Sequence, residues 1–124
     1  KVFGGILARR DNEGDRKQME QYGIVPIDLV VVDLYPFEQT VASGANEEEI
    51  IEKIDIGGIS LIRAGAKNFK DVVIVPSKAE YAMLDNILER KGAQTELEER
   101  RNFAEKAFAV SSHYDTAIHE WFVK

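Results

Sequence analysis

An aspartate, a glycine pair and a lysine, joined by an apolar run, are the residues of this chain whose types and spacing point to chemistry. They stand in Ile54-Asp55-Ile56-Gly57-Gly58, continued by Ser60-Leu61-Ile62-Arg63-Ala64-Gly65-Ala66-Lys67-Asn68. A carboxylate and an ammonium can serve as an acid/base or ion-pair couple. Paired glycines let the backbone approach a ligand with no Cβ in the way. A helix that starts there aims free N–H groups at an anion or a developing oxyanion. The same letters also describe an ordinary turn into a buried helix, with Asp55 as its N-cap. Both readings stand at this level, and both can hold at once.

The spacing also sets a limit. A continuous helix from Gly57 to Lys67 would separate its ends by about 15 Å at 1.5 Å per residue. Asp55 and Lys67 then could not touch. Either the helix stops near Gly65 and the chain folds back, or the two residues act from opposite sides of a substrate, or a partner subunit supplies one of them. An ordinary lysine is protonated near neutral pH, so Lys67 is first an acid or a charge stabiliser; it becomes a base only if burial or a neighbouring cation lowers its pKa.

Other residues carry weaker signals. Tyr35 follows the strongest strand, where α/β sheets hold ligands beyond the carboxyl ends of their strands; packing on Pro36 is the plainer account. His113 and His119 sit six apart on the last helix, on different faces, which argues against a shared metal. Arg9-Arg10 reads as a solvated charge pair. Trp121 and Phe122 end an apolar stripe and are expected to pack on a core or a subunit.

The elements that must position these groups alternate between strand and helix. Val2 to Ala8 fits a strand or a loop into a short helix. Arg9 to Asp15 is charged and turn-rich, and Arg16 to Tyr22 reads as a short helix stopped by Gly23. Ile27 to Val32 is nearly continuous and β-branched, the pattern of a parallel strand buried on both faces. Pro36 ends it and can open a helix over Phe37 to Val41. Glu47 to Lys53 is a further short helix with acids at its start. Val72 to Val75 is a second strand. Ser77 to Glu80 and Thr95 to Glu98 match capping boxes. The first opens a helix with Tyr81, Leu84, Ile87 and Leu88 on one face, ended by Gly92. The second opens a long helix to about Phe122, with Leu97, Ala104, Ala107, Phe108, Ser111, Tyr114, Ile118 and Trp121 at three- and four-residue steps. The alternation predicts an α/β layer with a parallel sheet.

The chain has 124 residues, 44% hydrophobic and 31% charged, which suits one folded domain. A net charge of −6 with no basic block argues against a nucleic-acid surface. No apolar run approaches the roughly 18 residues of a membrane span. Cysteine is absent, which excludes disulfides and thiolate metal sites and fits a cytoplasmic location.

Several motifs in fixed order then converge. Gly4-Gly5-Ile6-Leu7-Ala8-Arg9, Asp33-Leu34-Tyr35-Pro36-Phe37, Thr40-Val41-Ala42, Ile54-Asp55-Ile56-Gly57-Gly58, Ala66-Lys67-Asn68, Lys106-Ala107-Phe108 and Tyr114-Asp115-x-Ala117-Ile118 resemble the IMP cyclohydrolase domains of bifunctional purine-biosynthesis proteins. Those proteins join AICAR formyltransferase and IMP cyclohydrolase activities. The wording at Lys1-Val2-Phe3 and Lys67-Asn68-Phe69 resembles a Bacteroidetes-type version. The resemblance implies a methylglyoxal-synthase-like α/β fold: a parallel sheet flanked by helices, with a long C-terminal helix. It implies dehydrative closure of formyl-AICAR ribonucleotide to IMP with no metal or organic cofactor, and a homodimer. A formyltransferase domain is expected in the same full-length chain. The alternative is a methylglyoxal-synthase-like module that binds a nucleotide for regulation without catalysis.

By the same resemblance Lys67, Tyr35 and Asp55 are the catalytic set, and Val32, Asp33, Asp55, Ile56 and Gly57 contact the nucleotide. The family commonly has asparagine where this chain has Asp33. The family's phosphate-binding loops and its Lys-Thr-Leu-His-Pro motif, whose lysine pairs with the tyrosine at Tyr35, lie upstream of the matched stretch. Residues 1–124 are therefore expected to be the C-terminal half to two-thirds of such a domain, inactive alone.

Overall fold

Two short strands run side by side at the centre of the computed structural model, which describes residues 1–124. Strand β1 (Leu29–Val31) pairs with β2 (Val73–Val75) in parallel, with Leu29 opposite Val73, Val30 opposite Ile74 and Val31 opposite Val75. Parallel neighbours need a long crossover. Here it consists of α3 (Phe37–Ala42), α4 (Glu47–Glu52) and α5 (Gly57–Lys67). Before the sheet come α1 (Val2–Leu7) and α2 (Glu13–Tyr22). After it come a single 3₁₀ turn (Lys78–Glu80), α6 (Tyr81–Lys91) and the 26-residue α7 (Leu97–Phe122). The chain is thus an α/β layer with a parallel sheet flanked by helices and closed by a long C-terminal helix. No helix is long and apolar enough to cross a membrane.

The main core lies where α5 and α7 meet β2. Ile62, Val72, Ile74, Val75, Phe103 and Ala107 are completely buried there. Gly65 lets α5 lie directly on the strand, since a Cβ there would come within 3.0 Å of the Ile74 Cβ. A smaller core of Phe37, Ile50 and Tyr114 joins α3 and α4 to the second half of α7. Each large side chain buried in these clusters contributes roughly 1.5–3 kcal/mol.

Several expectations need correction. Residues 2–7, left open as strand or helix, are helical. Helix α2 starts at Glu13, earlier than Arg16, because the Asn12 side chain accepts from the Asp15 amide and caps it. Strand β1 is not buried on both faces: Val30 is buried, whereas Leu29 and Val31 are 43% and 45% exposed. The face carrying Val73 is covered over β2, with Leu84, Ile87 and Leu88 lining a cleft beside Leu29 and Val73, but the cover stops short of β1.

The capping boxes also differ. Ser77 bonds the Glu80 side chain and caps no backbone amide. The box of α7 lies one residue later than Thr95–Glu98, between Glu96 and Glu99. Thr95 instead accepts from Arg100, whose guanidinium also reaches the carbonyls of Thr95 and Phe69. Within the stripe of α7, Leu97 and Phe108 are exposed and Phe103, absent from the expected stripe, is fully buried. The far end of α7 meets α3 of the same chain, where Trp121 packs edge-on against Phe37 at 6.3 Å.

Candidate functional site

Helix α5 is continuous from Gly57 to Lys67, so the residues expected to do chemistry gather at its two ends, about 15 Å apart. The fold-back alternative is excluded, and the structure does not bring Asp55 and Lys67 together as a contacting couple. The two ends have different construction.

At the N-terminal end Asp55 is the organising residue. It is only 8% exposed. Its Oδ1 accepts from the Gly58 amide at 2.5 Å, as an N-cap carboxylate does, and its Oδ2 accepts from the Tyr35 amide at 3.3 Å. One carboxylate thereby ties the start of α5 to the loop that leaves β1. The two glycines beside it have separate reasons. A Cβ on Gly58 would lie 2.7 Å from both Asp55 oxygens, whereas a Cβ on Gly57 would meet nothing within 4 Å. Gly58 serves the fold, and Gly57 faces open space at the helix start. Ile56 beside it is exposed, and its carbonyl accepts from the Ser60 hydroxyl.

Tyr35 is 57% exposed. Lys53, in the turn before α5, holds its ammonium 5.6 Å from the Tyr35 ring centroid. Such an exposed cation–π contact is worth about 0.5–1 kcal/mol, and its larger effect is to place a positive charge beside the tyrosine. Tyr35 lines an open cleft with Asp33, Leu34, Pro36, Lys78 and Tyr114. Asp33 makes an exposed ion pair with Lys78 at 3.4 Å, which draws its charge toward that side of the cleft. The Val32 amide is committed to the Val75 carbonyl, so a backbone contact to a ligand there must use the Val32 carbonyl.

Behind this end stands Tyr114. Its hydroxyl accepts from the Asp55 amide and donates to the Lys53 carbonyl, each at 2.8 Å. Burial pushes its pKa above the ordinary phenol value, so at neutral pH it remains a donor.

At the C-terminal end Lys67 is exposed, in the last turn of α5, where a cation complements the helix dipole. It lines a cleft with Leu7, Arg9, Asn68 and Lys70. Asn68 is buried, and its amide nitrogen donates to the carbonyls of Ile6 and Ala8 at 2.8 and 2.9 Å. Its backbone carbonyl accepts from the amides of Asp71 and Val72. Asn68 therefore fixes both α1 and the entry to β2 around the lysine. Arg9 is engaged by Asp15, which accepts from its side chain and its amide, and this holds the Asp15 pKa at about 2. Arg10 reaches Asp28 and the Ile27 carbonyl. His113 pairs with Glu38 at 2.6 Å across α3 and α7.

Sequence reasoning missed Lys53, the latch made by Tyr114 and the clamp made by Asn68. The signal for Tyr114 was present: a tyrosine inside an apolar stripe brings a hydroxyl that must find a partner when buried. Lys53 gave no comparable signal.

Comparison with known proteins then places the chain. It is 66% identical over 122 residues to the bifunctional purine biosynthesis protein PurH of Bacteroides thetaiotaomicron, matching 98% of this chain and 24% of that protein. The PurH of Bradyrhizobium diazoefficiens is 53% identical over 123 residues, again 98% of this chain and 23% of the relative. The family model described as AICARFT/IMPCHase bienzyme matches residues 65–124. These matches are consistent with a fragment of a PurH-type bienzyme. It spans about a quarter of the length of the curated relatives it matches. Among solved structures, that of ForH superposes with a TM-score of 0.79 at 36% identity, covering 98% of this chain and 62% of that one. The likeness agrees with the α/β, methylglyoxal-synthase-like architecture expected from the motifs.

Proposed function

We propose that residues 1–124 form the C-terminal half to two-thirds of an IMP cyclohydrolase domain in a cytoplasmic, homodimeric purine-biosynthesis enzyme. In this reading the full-length chain also carries an AICAR formyltransferase domain, which supplies the formyl-AICAR ribonucleotide that the present domain closes to IMP. The observation that carries the reading is the junction at the start of α5. There Asp55, with one oxygen on Gly58 and the other on the Tyr35 amide, holds the two ligand-facing segments in one fixed relation.

Ring closure requires the carboxamide nitrogen to attack the formyl carbon and lose a proton. The formyl oxygen takes up charge, gains that proton and a second one from the formamide N–H, and leaves as water as the ring C=N bond forms. Positioning and electrostatic stabilisation supply most of the acceleration in such a step. Gly57, Ile56, Val32 and Asp33 hold the nucleotide through the backbone. Each Asp55 oxygen uses one lone pair within the chain and keeps a second for a substrate N–H. Tyr35 and Lys67 serve as proton-transfer and charge-stabilising groups. Asp55 and Lys67 act from opposite sides of the substrate rather than as an ion pair, which agrees with the continuous helix between them.

The test is direct. The full-length protein that carries this segment should convert formyl-AICAR ribonucleotide to IMP, followed by chromatography. Tyr35→Phe and Lys67→Ala should each lower kcat by at least about tenfold, the lower range for an acid/base group. Unchanged turnover in a folded variant removes that residue from the mechanism. A wild-type protein that binds IMP but makes none would favour the regulatory nucleotide-binding module.

A further inference from the structure

We propose that Tyr114 is a positioning residue for the candidate site, its hydroxyl fixing the turn that sets the Asp55 carboxylate between the start of α5 and Tyr35. What the site does rests on the cyclohydrolase reading above; how the turn is held does not.

A phenol offers one donor and two acceptor lone pairs. Tyr114 uses the donor on the Lys53 carbonyl and one lone pair on the Asp55 amide. Both partners lie in the short connection between α4 and α5, far from Tyr114 in sequence. The ring that carries the hydroxyl is only 6% exposed and meets Phe37 edge-on at 6.2 Å, so its place is set by the smaller core and not by the turn. The order of dependence runs outward. Packing fixes the ring, the ring fixes the hydroxyl, and the hydroxyl fixes the Asp55 backbone. The Asp55 carboxylate then fixes the Gly58 and Tyr35 amides. Tyr114 also lines the cleft that Tyr35 borders. A rigid helix thus reads out its position at the site through two successive hydrogen bonds. Phenylalanine would preserve the ring and its contact with Phe37. It would leave the amide of nearly buried Asp55 with no partner, and the turn would be free to move.

The test compares Tyr114→Phe with Phe103→Leu in the full-length protein. The second change lowers core packing on the same helix away from the site. In Tyr114→Phe, amide hydrogen exchange at Asp55 and Gly58 should rise about tenfold or more while β2 keeps its protection. At a temperature where both variants are folded, kcat for IMP formation should fall about tenfold or more through misplacement, with KM changed less than about twofold. Phe103→Leu should lower the urea midpoint and keep kcat. Normal exchange at Asp55 and Gly58 in Tyr114→Phe overturns the proposal, as does a wild-type kcat. If the wild-type protein itself makes no IMP, the cyclohydrolase reading is what has failed. Titration with IMP then decides: faster exchange with weakened binding supports the role of Tyr114, and faster exchange with unchanged binding overturns it.

Discussion

At its N-terminal end α5 begins under a buried carboxylate that accepts two backbone amides, and a buried phenol stands behind that carboxylate. At its C-terminal end the same helix presents an exposed lysine, and the buried group there is a neutral amide that grips the carbonyl of Ile6 in α1 and that of Ala8 just after it. The first end fixes a charge by enclosing it. The second keeps its charge in solvent and fixes the backbone around it. Enclosure makes the Asp55 end sensitive to the addition of a single atom. At the Lys67 end, stability should tolerate change in that exposed side chain but not in its buried neighbour Asn68. A shared helix can therefore serve two chemical tasks while its ends answer differently to substitution.

The glycine pair gives the largest expected effect and the sharpest way to break this contrast. Gly58→Ala puts a methyl group 2.7 Å from both Asp55 oxygens, so the cap must open. Loss of the cap and exposure of a buried, half-partnered carboxylate should cost about 3 kcal/mol, read as a fall in the urea midpoint. Gly57→Ala, with open space around it, should stay within about 1 kcal/mol yet weaken IMP binding in calorimetric titration. Equal stability losses at 57 and 58 would erase the distinction between them.

Next in size is Asn68→Ala. It leaves the Ile6 and Ala8 carbonyls without their shared donor and should cost about 2 kcal/mol. Hydrogen exchange should rise in α1 and remain unchanged at Asp55 and Gly58, and at the entry to β2, where the Asn68 backbone carbonyl is kept. Loosening at both ends together would mean that α5 transmits the change and the ends are not independent.

The smallest effect concerns Asp15. Its folded pKa of about 2 lies below the ordinary value of 3.8, chiefly because the Arg9 side chain donates to it. A depressed carboxylate adds stability that is present above the unfolded pKa and is lost as pH falls through the folded one. Asp15→Asn should therefore lower the urea midpoint slightly at pH 7, and the difference should shrink toward zero as pH falls through about 2. A loss that does not shrink there would assign the effect to the Arg9 amide contact rather than to charge.

Much of this arrangement was legible in the residues. The crossover order, the two strands, the long last helix and the role of Asp55 as a cap follow from local pattern, because propensity and tertiary structure agree there. That Asp55 and Lys67 cannot touch follows from helix rise alone, which puts about 15 Å between Gly57 and Lys67. Other features were not legible, because contacts that compete or that join distant residues decide them. The exposure of Leu29 and Val31 depends on how far the cover over β2 extends. The start of α7 depends on a competition in which Arg100 takes Thr95 and leaves Glu96 to cap. The latch at Tyr114 joins positions 59 residues apart, and no local pattern reports such a pair. The distinct reasons for Gly57 and Gly58 also required coordinates, since sequence shows only two identical letters.

The unbroken path of α5 has a consequence for how this segment can vary among its relatives. Each residue inserted into or deleted from a helix turns everything beyond it by about 100°. One extra residue between Ile59 and Ala64 would swing Lys67 to another side of the axis and carry Gly65 away from Ile74, where a bulkier neighbour would collide. Compensation would need about a whole turn, three or four residues at once. Side chains along the exposed face of α5 are free to drift, but its 11-residue length should be invariant wherever both ends are kept. Length, not composition, is then the property by which a distant homologue that has abandoned the chemistry would betray itself.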